Sequence, residues 1–296
     1  MSTDTLVALW WVFPIALGIC VTSCTLAMEG AVLFTPAFLF LFPWMSPAFP
    51  SLSANEAIGL ALVIEFFGYG SSSVGYLRQR VVDFSLVRKL LLFTIPVAIG
   101  ARLIAFAVPS FLLFILFGGV LLVLARTMLV SLKPHATAEP VQGAAANRVT
   151  RELLARDGKR YRYQYQLDQK DGGAAVAAGS LVGLIGVGLG EIVNTVLMAR
   201  HRLPMRVSTG TAIVVVAATV LASSLTHMAT VLGQGGQVAF PWVILFLIAP
   251  AVLIGGQIAP HVAARVPEFY LKRFLILMFV LAGLLMLFRG LVSASS

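Results

Sequence analysis

The segment Val-Pro-Ser-Phe-Leu-Leu at residues 108–113 returns as Val-Pro-Glu-Phe-Tyr-Leu at residues 266–271, 158 positions later. Other matching pairs keep the same order at offsets of 155 to 160, and they include Gly30 with Gly190, Thr35 with Thr195, Ser53 with Ser208, Val82 with Val238 and Gly100 with Gly256. A repeat of this length predicts two related halves, residues 1–131 and 174–296, joined by a linker at 132–173.

The composition is that of a membrane protein. Of 296 residues, 59% are hydrophobic and 11% are charged, and the mean hydropathy is +0.95, whereas a soluble domain has about 25% charged residues. Many of the apolar runs are long enough to cross a hydrocarbon core of roughly 30 Å as a helix. We expect an all-helical integral membrane protein, with helices near 6–27, 30–44, 54–77, 88–107, 110–131, 174–188, 190–199, 207–231, 238–258 and 268–292.

The distribution of basic residues predicts how the chain is oriented. Lys and Arg close to membrane spans are retained on the cytoplasmic side. If the polar linker 132–173 is cytoplasmic, 19 of the 21 basic residues lie inside and only Arg102 and Arg289 lie outside. Both termini are then outside. Residues 160–165 alternate like an edge strand or a lipid-headgroup contact, and we interpret them as part of a solvated linker. The net charge of +9 is therefore a topology signal, and we expect no nucleic acid partner.

Each half contains an odd number of crossings: either five, or three full crossings plus a pair of half-helices that enters and leaves on one side. With a cytoplasmic linker, an odd count turns the second half upside down, which is the inverted-repeat design of many secondary transporters. We therefore expect two inverted-topology repeats, each with a re-entrant or broken helix pair plus three full transmembrane helices.

Breaks at equivalent places in the two halves predict a binding site. Residues 28–31 and 186–191 each precede a short apolar run, and a half-helix of about ten residues spans only about 15 Å. Their N-termini should meet near mid-membrane, where free N–H groups and the helix dipole attract an anion. We expect Gly190→Val to block anion approach while folding stays tolerable. The expected substrate-binding residues are Gly30, Thr35, Gly190, Asn194 and Thr195, and in second rank Thr209 and Thr211.

Three acidic residues in apolar runs are candidate proton carriers, because ionisable groups in a membrane are costly and usually face a pathway. Glu65 is the most isolated of them, and its alternative role is that of a carboxyl hydrogen-bonded between helices. Glu29 and Glu191 stand at helix starts, where a carboxylate can equally serve as a cap that compensates the helix dipole. Arg102 is expected to extend to the interface rather than to bind substrate.

The sequence gives no indication of an enzyme. It contains no GxxxxGK[ST], GxSxG or HExxH motif, and no pair of histidines has the spacing of metal ligands. We expect no catalytic residue, no metal and no cofactor.

The glycine-rich breaks Leu-Ala-Met-Glu-Gly at 26–30 and Gly-Val-Gly-Leu-Gly at 186–190 carry a family resemblance, together with the helix starts at Ser53 and Ser208 and the paired Val-Pro-x-Phe segments. Across roughly residues 8–292 the chain resembles the TauE/SafE family of sulfite exporters. The resemblance implies movement of sulfite, organosulfonates such as sulfoacetate, thiosulfate or similar anions across a bacterial inner membrane. Glu29 stands where that family has mostly glycines, so the two halves are not expected to be equivalent.

Together these features predict a secondary transporter, by preference an exporter, of a small sulfur-containing anion, with alternating access and proton coupling as one option. An anion channel and an uptake permease for thiosulfate-like or sulfate-like anions are the alternatives. The expected partners are the anionic substrate and membrane lipid, and a homodimer stays open.

Overall fold

The computed structural model of the chain describes residues 8–131, 149–233, 240–263, 265 and 268–295. These parts contain five helices on each side of a β-hairpin. The first five are α1 (Val12–Leu26), α2 (Ala31–Met45, with a π-helical turn at Ala37–Leu41), α3 (Ala54–Arg78), α4 (Phe84–Ala105) and α5 (Ser110–Ser131). The hairpin consists of β1 (Val149–Leu154) and β2 (Arg160–Tyr165). The second five are α6 (Gln169–Ile185), α7 (Leu189–Thr195, continued by a π-helical turn at Val196–Arg200), α8 (Met205–Gly233), α9 (Trp242–Val262) and α10 (Glu268–Ser295).

Six of these helices are long and apolar enough to cross a membrane: α3, α4, α5, α8, α9 and the part of α10 at Arg273–Ala294. Three belong to each half, and each half also begins with a shorter pair, α1 and α2 or α6 and α7. Large apolar side chains such as Leu92, Phe246 and Phe288 are exposed on the long helices, as expected where lipid is the solvent. The predicted helical membrane architecture is confirmed at this level.

The linker differs from the prediction. Residues 132–148 lie outside the described residues, but 149–165 form an antiparallel hairpin, so the protein is mostly helical rather than all-helical. Its turn contains Gly158 at φ +82°, a left-handed conformation that favours glycine. Helix α6 also begins inside the expected linker, because Asp168 and Asp171 form a capping box at its start.

The hairpin is docked rather than freely solvated. The Tyr163 hydroxyl donates to Asp83 Oδ2 (2.8 Å), at the start of α4. Arg206, at the start of α8, donates to Asp157 Oδ2 (2.7 Å) and to Gln79 Oε1 (2.9 Å), just after α3. The hairpin therefore joins helix ends from both halves, all of which the charge distribution placed on one side.

Helix packing repeats when the two halves are exchanged. Helices α3 and α8 pack together, as do α5 and α10; α4 packs on α6 as α9 packs on α1; and α4 packs on α8 as α9 packs on α3. If α1–α5 are exchanged with α6–α10 in order, the same pairs of helices are in contact. Small residues allow the close approach: a Cβ added to Gly118 in α5 would lie 2.7 Å from the carbonyl oxygen of Gly283 in α10. Every long helix therefore contacts the other half.

Candidate functional site

The two helix breaks lie against each other. The residue that follows α1 is Ala27, which has a left-handed φ of 54°, and the residue that follows α6 is Gly186, with φ 75°. Gly190 packs so closely on the backbone carbonyl of Ala27 that a Cβ at position 190 would overlap its oxygen. The repeat correctly predicted that these breaks meet, and their depth in the membrane stays a prediction.

A carboxyl group occupies the N-terminus of each short helix. The Ala31 N–H, in the first turn of α2, donates to Glu65 Oε1 (2.5 Å). At the start of α7, the N–H groups of Gly190 (2.5 Å) and Gly188 (3.2 Å) donate to the two oxygens of Glu29. A carboxylate at this place satisfies N–H groups that lack a partner within the helix and compensates the positive end of the dipole.

These contacts refine the expected roles of both residues. Glu29 is a cap, but the helix that it caps belongs to the other half of the chain. Glu65 is hydrogen-bonded between helices rather than isolated in an apolar environment. Sequence reasoning could not identify either contact, because Glu29 and Gly190 are 161 positions apart.

Glu191 completes a buried cluster of three carboxyl groups, which we call the carboxyl cluster: Glu29, Glu65 and Glu191. The side chains of Glu191 and Glu29 are direct neighbours, and Glu65 interacts electrostatically with both. Among the described residues, no donor bonds either oxygen of Glu191. Buried negative charge without a cation is costly, so three ionised carboxyl groups side by side in this place are disfavoured.

Further polar side chains surround the carboxyl cluster. Tyr69 is buried and interacts electrostatically with all three carboxyl groups. It was not among the predicted site residues, although it follows Glu65 by four positions and so shares its helix face. Thr35 and Thr209 are both buried, and within the described part of the chain neither hydroxyl has a hydrogen-bond partner.

Three other predicted site residues do not join the helix tips. Thr195 is exposed on α7. Thr211 Oγ1 accepts from the Asp83 N–H (3.0 Å), so it stabilises the start of α4 near the hairpin. Asn194 fastens α7 to its neighbours, since its amide donates to the Leu26 carbonyl (3.3 Å) and its oxygen accepts from Ser208 Oγ (2.6 Å). Residue type and a place near a helix start suggested all three, but side-chain direction decided otherwise.

The expectation that Arg102 extends to the interface is wrong. Its side chain is 0% exposed, and its Nη2 group contacts Asn55 Oδ1 (3.3 Å) and His227 Nδ1 (2.8 Å). The guanidinium also lies 4.9 Å from the centre of the Phe106 ring. Its position near a helix end suggested an aqueous path, whereas the partner His227 is 125 positions away in sequence.

Among the described residues, no group of three or more His, Cys, Asp or Glu side chains could hold a metal ion. The helix tips, the carboxyl cluster and the buried hydroxyls form a polar centre between the two halves.

Comparisons with known proteins agree with this description. The family described as "Sulfite exporter TauE/SafE" matches residues 12–286, which include both helix breaks. The probable membrane transporter protein YunE of Bacillus subtilis (strain 168) is 23% identical over 272 residues, covering 90% of this chain and 93% of that protein. No solved structure matches the chain. Because the family match spans both halves, the chain belongs to the TauE/SafE family of sulfite-exporter-like membrane transporters.

Proposed function

We propose that the protein is a secondary transporter that exports a small sulfur-containing anion, such as sulfite or an organosulfonate like sulfoacetate. The observation that carries this proposal is that the N-termini of both α2 and α7 already hold a carboxyl group, whose oxygens accept from backbone N–H groups. An oxyanion presents acceptor oxygens to N–H donors as a carboxylate does. Family membership supports the sulfur-containing class of substrate.

In this mechanism the anion takes the place of Glu29 or Glu65 at a helix tip. A substrate anion and the carboxyl cluster carry charge of the same sign, so they repel each other in a low-dielectric interior. A proton bound by the displaced carboxyl would remove that repulsion. Anion movement would thus be linked to proton movement, with Glu65, Glu29 and Glu191 as the coupling groups.

We propose that the two halves, residues 1–131 and 174–296, are inverted repeats that rock against each other. Support comes from the packing, which is conserved when the halves are exchanged, and from three long spans plus one short pair in each half. The site residues Gly30, Gly190 and Glu191 are buried. Alternating access then requires motion at the α3–α8 and α5–α10 contacts.

The proposed location is the bacterial inner membrane, with the linker and its hairpin in the cytoplasm and both termini outside. Lipid would surround the exposed apolar faces of the long helices.

Transport into proteoliposomes tests the proposal. A proton gradient should drive uphill movement of sulfite or sulfoacetate. Glu65→Gln, which keeps an oxygen for the Ala31 N–H, should lose the pH dependence more than substrate binding. Glu56→Gln is the matched control, because that carboxyl lies on the same helix but only completes the capping box at Ser53.

Strictly downhill flux that no proton gradient can drive would favour an anion channel. Unchanged pH dependence in Glu65→Gln would remove the proton-carrier role of this residue.

A further inference from the structure

Arg102 is a buried cation whose charge is unmatched among the described residues. Its two hydrogen-bond partners, Asn55 and His227, are uncharged acceptors: a guanidinium can only donate, so His227 Nδ1 must accept. No described carboxylate forms an ion pair with Arg102, and its Nε and Nη1 atoms lack described partners. Burying an ion without a counter-charge is costly, so this environment favours an anionic acceptor.

The surroundings of Arg102 hold the guanidinium in place. Phe106 lies beneath it, and the His227 ring stacks on the same Phe106 (5.3 Å between centres, 16° between planes). The imidazole fits only because position 59 is glycine, since a Cβ there would overlap the ring. Side chains of α3, α4 and α8, from both halves, therefore fix one orientation of the donors before any ligand binds.

This site is separate from the carboxyl cluster. Asn55 opens α3, and Glu65 follows ten residues later, a rise of about 15 Å along the helix. Arg102 lies in the last turn of α4 and His227 lies late in α8. All three are at the opposite helix ends from Gln79, Asp83 and Arg206, which contact the hairpin.

The repeat provides an internal comparison. The offset that aligns Gly100 with Gly256 aligns Arg102 with Ile258, and the offset that aligns Ser53 with Ser208 aligns His227 with Ser72. The equivalent place near the hairpin is therefore uncharged. The helices of the repeat can therefore pack without a buried cation at this position. The charge of Arg102 is a feature of one end of the molecule only.

We infer that Arg102, oriented by Asn55, His227 and Phe106, is the centre of a second anion site that binds a small oxyanion at the bundle end opposite the hairpin. The inference rests on the proposed function in that the anion is the exported substrate, held on its way out. The free Nε and Nη1 groups supply charged donors. The other end of the bundle lacks such a buried cation. The affinity for the anion would therefore differ between the two ends, and so between the two directions of transport.

Anion-dependent thermal stabilisation of the purified full-length protein tests the site, with sulfite and inorganic sulfate as probes. A ligand that binds only the folded state raises Tm. Arg102→Gln should weaken apparent affinity at least tenfold while its Tm without anion is no lower than that of the wild type, because an unmatched buried charge has been removed. Arg289→Gln is the control, since this exposed arginine lies on the same proposed side.

A full anion-induced shift in Arg102→Gln would overturn the inference. If Arg102→Gln does not purify, Arg102→Lys replaces it: lysine keeps the charge but offers a point donor in place of the planar group, so several-fold weaker binding is expected and wild-type affinity would contradict the site.

Two further results separate this inference from the proposed function. Arg102-dependent stabilisation by sulfite supports the inference, whereas stabilisation by sulfate alone would overturn the assignment of the bound anion as the exported substrate. If the wild-type protein does not transport sulfite but shows an anion-induced shift that Arg102→Gln weakens, the proposed function fails and the anion site stands.

Discussion

At the scale of residues, Gly190 shows how closely the two halves approach. Its expected role was to let an anion reach the backbone, but its Cα already faces the Ala27 carbonyl oxygen. Contrary to the expectation from the sequence, Gly190→Val should disturb folding, because any side chain at this position meets backbone atoms that cannot rotate away.

Gly190→Ala should accordingly lower stability by about 1–3 kcal/mol, the usual effect of overpacking. Gly100→Ala is the control: this helical glycine has nothing within 4 Å of an added Cβ, so alanine should be neutral or stabilising by up to about 1 kcal/mol. Thermal unfolding of the two purified variants checks the difference. Equal Tm values would contradict the close approach.

At the scale of elements, the hairpin is the part of the chain that sequence reasoning described least well. The alternation in residues 160–165 is visible locally, but the docking depends on Tyr163 reaching Asp83, 80 positions away. Burial raises the pKa of Tyr163, and its bond to Asp83 raises it further. The phenol therefore stays protonated and keeps donating over the physiological range.

Tyr163→Phe should loosen the hairpin by about 1.5–3 kcal/mol, because Asp83 loses a hydrogen bond to a charged group. Tyr165→Phe, on the same strand, is the matched control, because the buried Tyr165 hydroxyl has no partner among the described residues. Amide hydrogen exchange over residues 149–165 should speed up in the first variant only. Equal exchange in both would show that the Asp83 contact contributes little.

The contact between Asp157 and Arg206 should make hairpin docking sensitive to acid. The hydrogen bond from Arg206 lowers the pKa of Asp157 below its ordinary value, which is about 3.9. A lowered folded-state pKa means that the contribution is complete above the ordinary pKa and is lost as pH falls through the folded pKa.

Exchange of the hairpin amides should therefore stay constant from pH 7 to about 4, after correction for the intrinsic rate, and should rise at lower pH. Arg206→Gln should reduce that rise. An acid response of the same size in the variant would mean that another group is responsible.

At the scale of the whole molecule, neither half builds the site alone. Glu29 of the first half caps α7 of the second, Gly190 of the second packs on Ala27 of the first, and Arg102 requires His227. A rocking motion of the halves would change all of these contacts together. Replacement of a carboxyl group by the anion at a helix tip would thus be linked to a change in which side of the membrane the site opens to.

The proposed orientation can be checked by labelling single cysteines in spheroplasts, after Cys20 and Cys24 are replaced by alanine. A membrane-impermeant maleimide should react with a cysteine at Ser51, which is exposed between α2 and α3, from outside. A cysteine at Arg160 of the hairpin should react only after permeabilisation. The reverse labelling pattern would show that the orientation in the membrane is opposite to the proposed one, and the proposed direction of export would then be contradicted as well.

The sequence alone determined the membrane class, the approximate positions of the helices in the described parts of the chain and the place of the two breaks. These properties follow from local apolar length, glycine at helix ends and spacing along the chain. Only the tertiary structure decided that Glu29 and Glu65 fill the helix tips, that Thr195 faces outward, that Arg102 is buried and that the hairpin is docked. Most of these contacts join groups 34 to 161 positions apart in the chain. A local sequence pattern shows which polar groups are present, but it cannot show which distant groups come into contact.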